Sequence, residues 1–383
     1  MKIKSCDLFL TQMFKIIFIS FIVALTSNVF AQDHYDYLKM AQYHFNEKHQ
    51  FDSCIHYAKL VLAQDLQNAT AWYMIAASKS NTGETADALP YVQEAIKLND
   101  TKCEFYDTRG FIYDDLEKFD SAIHDFNRAI SMCPEFGNAY FHKGSCYASQ
   151  KKYKQALPEY DKAIKLDPEY HLAYYNRAMA YRRTGNNAKA MEDYTKCISL
   201  NPEYAAAYVN RSNVFDDQFK YKEALADLMM ADKLEPNDPT CLNNMYLIYS
   251  KQKEWVDALK CLDRILAIDS NSEDVFYARA ITLTRLFRYE EALVDIDKEI
   301  QKAPHDVQYL NKKAFILTEK KDLLEAIKVY TQSINISPGA YAYYHRGRLY
   351  FIRGSKILAA KDYEKAVKLD KYFKLPNLKY KNN

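Results

Sequence analysis

Glycine and proline are scarce, 8 and 10 of 383 residues. So low a content excludes a collagen-like chain. With 49% hydrophobic and 27% charged residues, it also argues against long disordered or low-complexity stretches. No two cysteines form a C-x-x-C pair, so a zinc ribbon or thioredoxin-type site has no support. The phosphate loop G-x-x-x-x-G-K-[ST], a G-x-G-x-x-G after a strand and H-E-x-x-H are all missing. Nothing points to a Ser–His–Asp set. His44, His49, Cys54 and His56 lie close in sequence, but their spacing matches no standard zinc site. The expectation is a non-enzyme with no metal, cofactor or catalytic residue.

The chain also lacks an apolar run of membrane-spanning length. "IIFISFIVAL", Ile16 to Leu25, has ten residues where a span needs about 20. Lys2, Lys4 and Lys15 precede it and "TSNVFA" follows, the layout of a secretory signal peptide over residues 1–31 with cleavage after Ala31. Cys6 lies before the apolar run, unlike a lipoprotein cysteine. The protein is therefore expected to be exported, periplasmic or secreted, with no membrane insertion of the mature chain, 32–383. Removing the leader takes away three Lys and one Asp and turns the formal charge from +2 to zero. Nucleic-acid binders carry a basic excess or stripe, so no nucleic-acid partner is expected.

What the chain does have is repetition. "DPEYHLAYYNR" from Asp167 returns as "NPEYAAAYVNR" from Asn201, 34 residues later. Pro134, Pro168, Pro202, Pro236, Pro304 and Pro338 keep this step, with Ser270 in the one gap. Ten repeats start near 35, 69, 103, 137, 171, 205, 239, 273, 307 and 340, the last only if one residue is dropped near Gly339. The twentieth place is Cys54 and then alanine throughout, from Ala88 to Ala359; the eighth is usually small, as at Ala76, Gly110, Gly144 and Ala178. Each repeat divides into two helical stretches. Tyr174, Ala178 and Tyr181 recur at helical spacing in the first, and Ala190, Tyr194 and Cys197 in the second. Gly185 suits the reversal between them, and Pro202 ends the second. One such hairpin cannot bury its apolar stripe alone, whereas a stack can.

Tyr140–Gly144–Tyr147, then Ala156–Tyr160–Ala163 closing at Pro168, with Trp72–Ala76 and Ala88–Ala95 in the second repeat, resemble the tetratricopeptide repeat family. The resemblance covers about residues 35–373 and implies an all-α fold, an α-solenoid of about ten antiparallel helix pairs in a right-handed superhelix. The first helix of each pair then lines a concave groove. Residues 374–383 form a short tail. The seventh repeat departs, with Tyr246 at the small place and Ser270 at the proline place, and a local change in packing, such as a bend, is expected there.

Arg109, Arg177, Arg211, Arg279 and Arg346 share the seventh place, and the same five repeats carry Asp125, Asp193, Asp227, Asp295 and Asp362 at the twenty-third. The fourth repeat substitutes Lys143 and Glu159; the seventh has neither charge. Matched substitution implies five structural ion pairs between the two helices of a repeat, rather than an arginine ladder for an anionic ligand. Lys313, opposite Val329, is expected to lack its acid. Cys103 and Cys133 open and close the third repeat, so a disulfide is one reading and two small core residues the other.

In the family, the second, fifth, sixth, ninth, twelfth and thirteenth places of the first helix face the groove. Transferred here, the sixth place gives Asn176, Asn210 and Asn244 in succession, resembling the asparagine ladders with which some members hold peptide backbone. Phe141, Tyr175, Tyr277 and Tyr344, with Phe111 and Phe315, are either partner anchors or helix packing. Asp114 and Asp115, Arg182 and Arg183, and Asp216 and Asp217 alternate in sign along that face. The expected function is a scaffold binding a protein or extended peptide in the concave groove. The alternative is a structural subunit of an envelope complex, a homo-oligomer included, assembled through the solenoid ends or convex face.

Overall fold

The computed structural model describes residues 36–272 and 274–373. The leader expected at residues 1–31 and the tail 374–383 lie outside them, as do positions 35 and 273, where the first and eighth repeats are expected to begin. The chain divides into two compact bodies after Pro202. In the first, the pairs are α1 (36–46) with α2 (Phe51–Gln64), α3 (Ala69–Asn81) with α4 (Thr85–Leu98), α5 (Cys103–Asp115) with α6 (Phe119–Met132), α7 (Gly137–Ser149) with α8 (Tyr153–Leu166), and α9 (His171–Arg183) with α10 (Asn187–Leu200). In the second they are α11 (Ala205–Asp217) with α12 (Tyr221–Leu234), α13 (Pro239–Gln252) with α14 (Trp255–Ile268), α15 (Val275–Arg285) with α16 (Tyr289–Lys302), α17 (Val307–Glu319) with α18 (Leu323–Ile336), and α19 (Ala340–Ile352) with α20 (Lys356–Leu369). No strand occurs among the described residues. Within each body every helix packs on the next in sequence, so each hairpin covers its neighbour's apolar stripe.

The small residues set how closely the two helices of a pair approach. Ala76, Ala88, Ala122, Ala156, Ala178 and Ala190 are fully buried. A Cβ added at Gly110 would come within 2.7 Å of the Phe126 ring, and one at Gly144 within 2.8 Å of the Tyr160 ring. Both rings are buried, so neither can step aside without leaving its own packing.

The turn between paired helices has one construction. The fifteenth place is left-handed in all ten repeats, from His49 (φ 49°) through Gly83 and Gly185 to Gly354 (φ 81°). The next residue's N–H closes back on the helix, as Lys118 to the Tyr113 carbonyl (2.7 Å) and Lys220 to that of Phe215 (2.9 Å), the six-to-one bond of a Schellman ending. Only three of the ten residues there are glycine, although the left-handed region costs other residues roughly 1–2 kcal/mol. Phe219 and Phe287 hold that conformation about three-quarters exposed, each edge-on to the tyrosine two residues later.

Around the seventh repeat the departure lies in its connections. Asn237 (φ 67°) precedes α13 and Asp274 (φ 60°) precedes α15, and no other inter-repeat connection has a left-handed residue among those described. Tyr246 packs half-buried against Leu242, Leu262, Ile265 and Val275.

Candidate functional site

The charges at the seventh and twenty-third places sit between the paired helices. Arg109 Nε donates to Asp125 Oδ2 at 2.6 Å and Nη2 to Oδ1 at 2.8 Å, with the aspartate buried and the arginine about a fifth exposed. The same two-bond fork joins Arg177 to Asp193, Arg211 to Asp227, Arg279 to Asp295 and Arg346 to Asp362. Lys143 reaches Glu159 at 2.8 Å. These guanidinium groups are thereby engaged by buried carboxylates.

Lys313 corrects the expectation of a base without an acid. It pairs at 2.7 Å with Asp297, on the second helix of the preceding repeat. Arg177 likewise adds Asp161, Arg279 adds Asp263 and Arg346 adds the Thr331 hydroxyl. All four acceptors stand at the twenty-fifth place, so the seventh-place cation also ties one repeat to the one before it. The sequence does carry that signal, an acceptor 16 or 15 residues ahead of the base.

The three asparagines stand on first helices, Asn176 in the first body and Asn210 and Asn244 in the second, all half-buried. Asn176 Nδ2 lies 3.4 Å from Ser145 Oγ, and Asn244 Nδ2 3.3 Å from Asn213 Oδ1; each acceptor is the ninth-place residue of the preceding repeat. Asn210 Nδ2 donates to its own helix at Ala206 O, 3.0 Å. Asn176 lines a cavity of about 320 Å³ with Ser145, Tyr160 and Arg183, and Asn210 lines one of about 250 Å³ with Val209, Glu235 and Asp238. The four aromatic residues are half-buried and spend ring surface on neighbours. Phe141 meets Tyr170 at 4.9 Å, Tyr175 meets Tyr194 at 5.9 Å, Tyr277 meets Tyr309 at 5.6 Å and Tyr344 meets Phe373 at 5.0 Å.

A cavity that the sequence reading did not single out lies in the first body. It measures about 290 Å³ and is lined from four successive first helices, by Phe45 of α1, Tyr73 and Ser80 of α3, Glu104, Asp107 and Phe111 of α5, and His142 of α7. Asp107 is buried, and His142 Nδ1 lies 2.9 Å from its Oδ1. Burial pushes the imidazole pKa down, but the Asp107 charge, the hydrogen bond to it and Asp114 outweigh this and hold it above its usual value. Asp114 itself is pushed up by burial, and one of its oxygens has no hydrogen-bond partner. Ser80 is 8% exposed, and its hydroxyl likewise has no partner. Except for Phe45, the seven residues just named occupy the groove places already inferred; reading those places together in repeats two to four would have found them.

A disulfide joins Cys103, first residue of α5, to Cys133, which caps α6. It thereby anchors the segments carrying Glu104 and Phe136, both on the cavity wall. The other cysteines described are buried. Burial pushes the Cys146 thiol up to about 12 and Cys197 and Cys261 to about 11, far from a nucleophilic thiolate at neutral pH. In the early histidine cluster, His44 stacks on Tyr57 at 5.3 Å and bonds Gln50 at 2.9 Å, while Cys54 is core. No described helix is long and apolar enough to cross a membrane.

Stacked helix pairs of one length, with small residues at the crossing and open first-helix faces, define a helix-repeat protein of the α-solenoid class. Within that class, family models of the tetratricopeptide repeat match residues 137–170 and 171–204, and 69–102, 104–136, 307–339 and 340–373, and the chain belongs to that family. A TPR repeat-containing protein of Methanocaldococcus jannaschii is 33% identical over 101 residues, 26% of this chain and 18% of that one. Human tetratricopeptide repeat protein 13 is 27% identical over 120 residues, 30% of this chain and 14% of its own length. The chain thus spans less than a fifth of the curated relatives it matches. Among solved structures, that of Pseudomonas aeruginosa pilF superposes with TM-score 0.50 at 14% identity, over 55% of this chain and 96% of that one, a likeness of fold.

Proposed function

We propose that this protein is an exported, non-catalytic scaffold that holds another protein or an extended peptide against the faces of its first helices. Repeats of this family generally serve as protein-binding scaffolds rather than catalysts. The observation that carries the reading is the run of first-helix residues at groove places around open cavities, while the arginines at the seventh place are consumed in structural pairs. Export is supported by the leader-like segment before residue 32 and by the Cys103–Cys133 disulfide, which persists in an oxidising compartment such as the periplasm or the extracellular space. The test is capture of native partners on the protein beside an Asn176/Asn210/Asn244→Ala variant of equal helicity. Loss of a partner only in the variant supports groove binding; identical capture by both forms removes the asparagines from the contact.

A second reading, a structural subunit that assembles through its last repeat, rests on exposed apolar side chains there. Ile357 at the start of α20 is 76% exposed, its neighbour Leu358 is also exposed, and so is Leu369 at the far end of the same helix. Exposed apolar side chains of this kind are what an association surface would cover. Sedimentation that gives one monomer mass at every concentration removes this reading. A mass that rises with concentration and falls back in Ile357→Glu supports it.

A further inference from the structure

We propose that the cavity walled by α1, α3, α5 and α7 is a receptor for an arginine side chain presented by a partner polypeptide, a proposal that rests on the scaffold reading above. The walls supply an excess of negative charge. Glu104 and Asp107 line the cavity, and the one basic group beside them, His142, is already engaged with Asp107. Glu104 is half-buried and forms no ion pair among the described residues, so its charge is left for a visitor. The Ser80 hydroxyl points to the same conclusion independently. It is more than nine-tenths buried, lines the cavity and has no hydrogen-bond partner, an arrangement that costs energy until a donor or acceptor arrives.

The remaining wall is aromatic. Phe111 is 41% exposed at the cavity's edge, with Phe45, Tyr73 and Phe136 around it. A cation with a long apolar stem fits such a mixture, and arginine fits better than lysine. Its planar guanidinium stacks on a ring while its N–H groups diverge toward a carboxylate and a hydroxyl. A volume of about 290 Å³ admits one large side chain and lies just below the usual range of whole-ligand pockets. The Cys103–Cys133 bridge anchors the two segments that bear Glu104 and Phe136, which preorganises the wall and lowers the cost of binding.

The test titrates the full-length protein with the pentapeptide acetyl-Gly-Gly-Arg-Gly-Gly-amide, beside versions carrying citrulline or lysine in place of arginine. Citrulline keeps the shape and removes the charge. Saturable binding of the arginine peptide is expected, with citrulline weaker by about tenfold or more, the value of one charge-assisted hydrogen bond. Glu104→Gln should reproduce that loss, and Ser80→Ala should weaken the arginine peptide while leaving helicity and melting unchanged. Equal binding of arginine and citrulline peptides, equal binding by both variants, or no saturation by about 10 mM overturns the proposal. The two levels fail separately. If no peptide binds but a native partner still depends on Asn176, Asn210 and Asn244, the arginine receptor falls and the scaffold stands. If the arginine peptide binds as expected and capture shows no dependence on those asparagines, the receptor stands and the asparagines drop out of the contact.

Discussion

His142 Nδ1 stands 2.9 Å from Asp107 Oδ1, joining the first helices of two successive repeats through an acid that is almost wholly buried. The pair raises the histidine pKa in the folded chain above its unfolded value of about 6.5. Such a group adds stability that is fully present below the unfolded pKa and is lost as pH rises through the folded one. Melting temperature should therefore decline as pH is raised above about 6.5, and Asp107→Asn should flatten that decline. Superimposable pH profiles of the two proteins would show that the pair does not titrate as described.

Arg109 and Asp125 offer a test of the repeated fork. Removing either partner alone leaves the other charge buried, at a cost on the order of 3 kcal/mol. The double variant Arg109→Met with Asp125→Leu should lose less than the sum of the singles, with a coupling of about 1 kcal/mol or more. Because repeat arrays open locally, hydrogen exchange within α5 and α6 is the suitable measurement. Strictly additive effects would sink the claim of contact.

Gly144→Ala should destabilise the fourth repeat. The new methyl meets the buried Tyr160 ring at 2.8 Å, and overpacking of this kind costs about 1–3 kcal/mol. Ala178→Gly, at the same place one repeat later, should cost only about 1 kcal/mol through helix propensity. Equal losses at the two sites would mean that the crossing is looser than the geometry indicates.

Reduction of the Cys103–Cys133 bridge should lower the stability of the third repeat by about 2–4 kcal/mol, as expected for a closed loop of 30 residues. Cys103→Ser with Cys133→Ser should melt where the reduced protein melts and be indifferent to reductant. Mass spectrometry of the alkylated, unreduced protein checks the linkage directly. Free thiols at both positions would remove it.

The residue pattern alone determined the helix pairs, the residues at which they cross, and which base faces which acid inside a repeat. These contacts recur many times in one chain, so the repeats act as aligned copies of one another: where Arg109 and Asp125 become Lys143 and Glu159, the substitution itself reports contact. For Cys103 and Cys133 the sequence left two readings open, a bridge at one end of the hairpin or two small core residues, and the tertiary structure joins them. The groove places came from the family resemblance; Ser80, Asp107 and Asn176, which stand at three of them, line cavities.

Contacts between repeats stayed hidden. His142 with Asp107 joins unlike residues on successive hairpins and has no second copy to reveal it, while Lys313 with Asp297 follows a spacing that Arg177 and Arg279 share but that the pairing inside a repeat overshadowed. Nor does composition mark a left-handed residue when Lys or Phe takes the place of glycine, as at Lys151 and Phe219, because the closing bond is made by backbone groups that every residue shares. Local periodicity specifies a hairpin. How one hairpin sits on the next, and which polar groups are then left facing an empty cavity, is decided by side-chain packing between them, where small differences in shape and charge choose among arrangements of nearly equal burial.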